Sequence, residues 1–305
     1  GLAFSKIVLK NKNAIAVLEV SSFQGRTLKS FRPSIGAFLN FAPDHLDWHE
    51  DIWDYLYSKH NIFARQTEED FLILNGLDDR IKRAFGAGKK FLIPQDGYLD
   101  DEKGIFQGEV LFEKLRLKCK HNALNALFAS AMAKLFGIDT KVIKQTVESF
   151  SGLEHRLEQI TQIKNVKIFN DSKSTTPNAL KTALECFSDK SVILIAGGKD
   201  KDLSFEELKD IAKRKLIACF LIGEAKEKLA RELFAEAELC NSLEEATENA
   251  LKLALSLSSE CNILFSPGCA SFDMFRDYKE RGERFKKIVA NYSHSIVEGG
   301  FEDMS

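Results

Sequence analysis

The sequence has 305 residues, a length that suggests two domains at roughly 150 residues each. Lys and Arg number 43 against 45 Asp and Glu, and the net charge of −2 excludes nucleic-acid binding through a broad basic surface. With 18 Gly and 5 Pro it is no collagen or low-complexity polymer, and no apolar run nears the roughly 18 residues of a membrane-spanning helix.

In chain order, Ala14 to Val20 and Ser34 to Phe41 read as buried strands and Asp51 to Gln66 as a helix. Strands are expected at Asp70–Asn75 and Lys90–Pro94, and Gly104–Leu117 alternates like a hairpin or edge strands. Two helices follow, His121–Gly137 with Gly137 as C-cap, and Asp139–Phe150. The rhythm changes at Ser151-Gly152. Strands at 166–170, 191–197, 216–223 and 261–267 then alternate with helices near 177–187, 205–215, 225–235, 243–258 and 271–290, the pattern of a parallel, doubly wound α/β domain. From about Asn291 no periodicity remains, and a loose tail is expected. The domains are placed at 1–152 and 153–305. The six cysteines form no C-x-x-C pair and are widely scattered, so reduced, cytosolic thiols are expected in preference to a disulfide framework.

In α/β sheets ligands bind beyond the carboxyl ends of strands, and five segments there or at helix starts carry candidate chemistry. Glu19, with Ser21, Ser22 and Gln24, offers a carboxylate for Mg²⁺ and groups for phosphate or sugar oxygens; the plain alternative is capping of the next turn. His45 lies between Asp44 and Asp47 and suits a metal or a phosphate, or simply pairs with either acid. Tyr55 and Lys59 share one inward helix face, where a Lys needs a partner or a modification unless its head reaches water. Asn122 and Asn125 are i,i+3 neighbours whose amides suit an adenine edge; an N-cap would explain one of them. Last, Asn170–Thr175, Gly197–Lys201 and Ser266–Asp273 follow three strands and place Lys, Ser and Thr beside helix starts, an anion site suited to a small carboxylate. Turn chemistry alone would explain one such loop, not three. No G-x-x-x-x-G-K-[ST], G-x-S-x-G, H-E-x-x-H or strand-following G-x-G-x-x-G occurs.

In series, LEVSSFQ (18–24), NFAPDHLDWH (40–49), the Tyr55…Lys59 helix, HNALNAL (121–127), EHRLE (154–158), NDSKSTTPNA (170–179), GGKDKD (197–202) and SPGCASFDMFRDYKERGERF (266–285) resemble the Mur ligase family from residue 1 to about 290. The DSKST and SPGCASFD segments are similar to its D-glutamate-adding branch. The resemblance implies an α/β chain made of a truncated P-loop-type central ATPase domain followed by a Rossmann-like C-terminal domain. Gly1 would fall just after the P-loop helix, where the family has an Asn-Ile-Gly turn. The uridine-nucleotide domain and the P-loop would then lie outside this sequence, and the stretch alone would be inactive.

The activity implied is ATP- and Mg²⁺-dependent addition of D-glutamate to UDP-N-acetylmuramoyl-L-alanine through an acyl phosphate, in cytoplasmic peptidoglycan precursor synthesis, by a monomer without nucleic-acid or membrane partners. The family's roles carry over as follows. Glu19 matches a Mg²⁺ ligand, His45 a second-metal ligand, and Lys59 a lysine carried as a carbamate. Ser21 and Gln24 match contacts to the muramoyl substrate. Asn122, Asn125, Arg156 and Asp171 match nucleotide positions. Thr175, Lys201, Ser271, Phe272 and Tyr278 match the glutamate pocket, with Lys173 beside it; Tyr278 replaces the Phe of some members. The alternatives are a non-catalytic relative lacking the P-loop and another Mur or folylpolyglutamate-type ligase.

Overall fold

Short apolar strands separated by polar turns lay down a parallel sheet in the first half. Its strands β1 (Ile35–Phe38), β2 (Phe71–Asn75) and β3 (Lys89–Ile93) lie in that spatial order. The computed structural model describes residues 14–46, 48–116 and 119–299, with 294–299 as backbone only. The period of two decides the packing. Leu72 and Leu74 of β2 pack with Phe38, Phe41 and Phe63, with Tyr55 and Leu56 of α2 (Ile52–His60), and with Ile81 of α3 (Asp79–Lys82). The intervening Ile73 joins Phe91 and Ile93 on the opposite face. There it meets an antiparallel meander, β4 (Gly97–Asp100), β5 (Lys103–Phe106) and β6 (Glu109–Phe112), and the helices α4 (Lys120–Leu135) and α5 (Thr140–Ser149). Gly137 ends α4 as expected: its φ of +92° is left-handed, and Ile138 N donates to Ala133 O at 3.0 Å. A short helix α1 (Ser22–Thr27) precedes β1.

The second half holds a six-stranded sheet in the order β11-β10-β9-β12-β8-β7. The strands are β7 (Glu158–Ile163), β8 (Val166–Asn170), β9 (Val192–Gly197), β10 (Leu216–Ile222), β11 (Glu238–Leu239) and β12 (Cys261–Phe265). All pairs are parallel except β7 with β8. Strand β9 is buried along its whole length, as a strand covered by helices on both faces must be. Its Ile193 and Ile195 pack towards α9 (Leu243–Ser256) and α10 (Tyr278–Gly299), while Val192, Leu194 and Ala196 pack towards α6 (Pro177–Leu184), α7 (Lys209–Lys215) and α8 (Lys226–Glu232).

By contact density the chain divides into two units, Gly1–Leu115 with Ala123–Ser149, and Arg116–Asn122 with Phe150–Ser305. Helix α4 thus begins with residues that pack in the second unit and continues in the first.

Several expectations are corrected. Ala14–Val20 forms no strand; it pairs with none of the described strands, and Val17 is 91% exposed. Apolar content alone does not make a strand without a partner edge. The alternation seen after Gly104 belongs to a meander that starts at Gly97. The helix expected from 271 starts at Tyr278, because Asp277 Oδ1 accepts from Lys279 N and Glu280 N and so caps it. The tail after Asn291 continues as helix to Gly299. Edge strands β7 and β11 were missed; β7 is half-buried and rich in Glu, Gln and Thr, so it lacks clean alternation. Four cysteines are free and buried, but Cys119 and Cys186 are disulfide-bonded. Scatter along the sequence says nothing about distance in space, and these two lie 67 residues apart.

Candidate active site

In the first unit, residues of three segments gather around Lys59. Its ammonium sits 4.8 Å over the Tyr55 ring, as the shared helix face predicts. Lys59 is half-buried, and burial pulls its pKa down, while the carboxylates of Asp44 and Glu19 oppose that shift. Glu19 is exposed and has no hydrogen-bond partner among the described residues. His45 takes a left-handed φ of 55°, donates its backbone N–H to Asp44 Oδ1 at 2.8 Å, and holds its Nε2 3.6 Å from Asp44 Oδ2. The pairing alternative for His45 is therefore realised with Asp44; Asp47 lies outside the described residues. Ser21 and Gln24 form a capping box on α1: Gln24 N donates to Ser21 Oγ at 3.2 Å and Ser21 N to Gln24 Oε1 at 3.0 Å. Capping thus occupies one oxygen of each side chain and orients both.

One feature here was not foreseen. His49 is fully buried; its Nδ1 donates to Asp54 Oδ2 at 2.8 Å, and Ser22 Oγ donates to its Nε2 at 2.9 Å. The order Ser–His–Asp resembles a hydrolase triad, but Ser22 is itself buried, and an enclosed hydroxyl cannot attack a substrate. The chain of bonds instead anchors the start of α1 to the loop before α2. The only sequence signal was the His ending the 40–49 segment.

The nucleotide candidates Asn122 and Asn125 stand inside α4, which starts at Lys120, so neither is its N-cap. Neither amide has a protein partner among the described residues, which leaves both free to bond a ligand.

In the second unit, β8, β12 and β9 are spatial neighbours, so the three loops that follow them meet at one sheet end. The structure thereby brings together Asp171, Lys173, Thr175, Ser271 and Tyr278. Gly197 and Gly198 have φ of +113° and +140°, and a Cβ on either would strike a carbonyl oxygen, of Ile222 at 2.1 Å or Ala270 at 2.3 Å. Only glycines let these chains approach so closely. Lys199 N donates to Ala270 O at 2.9 Å, Gly268 N to Ser174 O at 3.0 Å, and Asp171 N to Phe265 O at 2.7 Å. Lys173 lies 5.6 Å over the Tyr278 ring. Ser271 is buried, whereas Phe272 is 70% exposed. Lys201 is exposed on the glycine loop, while Lys199 pairs with Glu224 at 2.9 Å. Arg156 is exposed beside buried His155, whose Nδ1 accepts from Asn170 Nδ2 at 2.9 Å.

Sequence reasoning passed over Arg281, which joins two of these loops, those after β8 and β12. Its side chain is buried; Nη1 donates to Cys269 O at 3.0 Å and Ala270 O at 3.1 Å, Nη2 to Ser172 O at 2.8 Å, and Nε to Ser172 Oγ at 3.1 Å. It lay unmarked within the 266–285 segment, and no local pattern separates a buried Arg from a surface one on an amphipathic helix.

Asp171 is buried, and burial pushes its carboxyl up to about 7, against the opposing effects of Ser266 Oγ, Leu157 N, Arg156 and Arg281. The carboxyl holds its proton to higher pH in the folded chain than its ordinary 3.8, so the stability it contributes is full below about pH 4 and is lost as pH rises through 7. Asp171→Asn should remove that decline. Urea midpoints of variant and parent across pH 4 to 8 check this; parallel curves would refute it.

The sequence matches the Mur ligase middle domain over residues 3–133 and the Mur ligase glutamate ligase domain over 155–265. It is 49% identical to the UDP-N-acetylmuramoylalanine–D-glutamate ligase of Aquifex aeolicus (strain VF5), across 95% of this chain and 70% of that one. The chain belongs to the Mur ligase family. The similarly named ligase of Hydrogenobaculum sp. (strain Y04AAS1) is 41% identical across 97% of this Mur ligase chain and 72% of its own. Among solved structures, MurF from Acinetobacter baumannii superposes with a TM-score of 0.66 at 16% identity, covering 90% of this chain and 62% of that one. A Mycobacterium tuberculosis folylpolyglutamate synthase complexed with ADP and AMPPCP gives 0.62 at 13%, covering 84% and 64%. These two likenesses show the α/β fold shared with Mur ligases. The chain thus spans about 70% of the first two relatives and just over 60% of the solved structures.

Proposed function

We propose that this chain is the nucleotide- and glutamate-handling part of a ligase that joins D-glutamate to UDP-N-acetylmuramoyl-L-alanine at the expense of ATP. The observation that carries the reading is the 49% identity, across 95% of the chain, to a ligase named for those substrates. The three loops at this sheet end, two of them joined by Arg281, agree with it, because Lys173, Thr175, Lys201 and Ser271 are cations and hydroxyls suited to the carboxylates of a small amino acid. The reading includes cytoplasmic action as a monomer; among the described residues no helix is long and apolar enough to cross a membrane.

The muramoyl carboxylate attacks the γ-phosphate to give an acyl phosphate and ADP, and the glutamate amine then displaces phosphate. Every reactant is anionic, so the chain's task is positioning and neutralisation. Lys201 and Thr175 hold the glutamate carboxylates, Phe272 and Tyr278 border the amino acid, and Lys173 and Ser271 support it. Asn122 and Asn125 present amides to the base, with Arg156 and Asp171 as further nucleotide contacts. Ser21 and Gln24, already oriented by their capping bonds, contact the muramoyl group.

Mg²⁺ fits the first unit on one condition. Glu19 supplies the oxygen a hard cation prefers and His45 a nitrogen, but an ammonium at Lys59 would repel the ion. A carbamate at Lys59 turns that cation into an oxygen ligand. Bound there, Mg²⁺ would neutralise phosphate oxygens.

The whole gene product, supplied with ATP and UDP-N-acetylmuramoyl-L-alanine, should release phosphate with D-glutamate at least about a hundredfold faster than with L-glutamate or meso-diaminopimelate. A preference for either competitor would overturn the assignment.

A further inference from the structure

A third cluster of reactive side chains lies within the second unit. Cys119, directly before α4, is bonded to Cys186, two residues beyond α6. His121, in the first turn of α4, places Nδ1 3.0 Å from Cys119 Sγ and 3.6 Å from Cys186 Sγ. All three residues are half-buried. The remaining thiols are enclosed, and burial raises them, Cys240 to about 11 and Cys269 to about 12, with Cys219 and Cys261 also raised. Thiols that keep their protons are inert. Among the described residues, the cysteines within reach of solvent reagents are therefore the two that share an imidazole. The other tight group of ligand atoms, Glu154, His155 and Glu283, already holds a cation, since Lys286 Nζ lies 2.9 Å from Glu154 and 2.7 Å from Glu283.

We propose that Cys119 and Cys186 are a reversible thiol–disulfide site, with His121 as the base that accepts the thiol proton and a low-molecular-weight disulfide as the oxidant. In the reduced chain, the Cys119 thiol passes its proton to His121 Nδ1. The thiolate attacks one sulfur of the small disulfide; a protein–small-molecule S–S bond forms and one small thiolate leaves, taking the proton from His121. The Cys186 thiolate, its proton removed through the same ring, then attacks Cys119 Sγ. The Cys119–Cys186 bond forms, and the second small thiol leaves with that proton. Two protein thiols and one small disulfide become one protein disulfide and two small thiols. Burial keeps the His121 pKa below its usual value, with Glu185 opposing, so the ring is neutral near pH 7 and able to accept. Besides the two sulfurs, Glu185 is the ionisable group acting on this ring. The bond fastens the residue before α4 to the end of α6. Because Asn122 stands three residues from Cys119, the oxidation state governs how firmly the first turn of α4 is held. None of this chemistry requires ligase turnover.

The test uses the whole gene product, reduced with dithiothreitol and then exposed to defined ratios of oxidised to reduced glutathione, with alkylation and mapping of the peptides that carry the six cysteines of this sequence as the readout. Cys119 and Cys186 should leave the alkylatable pool together and return together when reduced glutathione is raised, with the other four cysteines unchanged. His121→Gln should slow pairing at pH 7 about threefold and move the midpoint of the rate–pH profile upwards. Loss of the base lowers the thiolate fraction, and higher intrinsic nucleophilicity offsets part of that loss. The proposal is overturned if glutathione forms no such pair or cannot reduce it, or if His121→Gln leaves rate and midpoint unchanged. It is likewise overturned if the reduced chain binds one Zn²⁺ that blocks oxidation, for then the cluster is a metal site.

Discussion

Replacing Lys59 by Ala in the intact ligase is expected to reduce turnover about 100- to 1000-fold, the usual loss when one preorganised charge near a reacting phosphate is removed. Short carboxylates such as formate or acetate should restore part of it, because they can supply the oxygen ligand that a Lys59 carbamate would provide. The expectation follows from chemistry rather than position alone. An ammonium beside Glu19 and Asp44 is a simple ion-pair partner, whereas a carbamate there is an anion that shares a cation with them. The side chain is only half-buried, so the fold should survive, and an unchanged unfolding midpoint separates the catalytic effect from misfolding. Full turnover in the variant, or a loss that no carboxylate rescues, would refute the carbamate.

Arg281→Ala should destabilise the chain by about 3–5 kcal/mol in urea unfolding, among the larger effects open to one substitution. The guanidinium serves the carbonyls of Ser172, Cys269 and Ala270 and the Ser172 hydroxyl, and its removal leaves buried acceptors unpaired and a cavity between two loops. Burial draws its pKa down to about 10, still far above neutrality, so it remains a cation at working pH. Arg281→Lys keeps the charge but loses the planar fork, and should recover less than half of the loss. In the intact ligase the same variants should raise KM for D-glutamate more than KM for ATP. A stability change below about 1 kcal/mol would show that these bonds contribute little.

Much of the fold was legible in the sequence because burial forces a pattern on it. The runs at 192–197, 216–222 and 261–265 are apolar but for Asn262 because both faces of that sheet are covered, and the turns after them are marked by Gly, Pro and Ser. Edge elements escaped notice for the converse reason. Glu158–Ile163 and Glu238–Leu239 have one edge open, so their side chains carry little periodic signal. Ala14–Val20 erred in the other direction: it is apolar and yet unpaired among the described strands.

For the sites, residue types and their order determined the family, the Lys-, Ser- and Thr-bearing loops after β8, β9 and β12, and the face shared by Tyr55 and Lys59, since all of these are written in local spacing. The tertiary structure decided what depends on distant segments meeting. It made Arg281 the clamp between loops that end β8 and β12, and it turned His49 into the link between Ser22 and Asp54. It placed two cysteines 67 residues apart beside one imidazole. Helical and strand periodicity constrain neighbours within a few residues; long-range contacts are selected by the packing of whole elements, and no single segment records them.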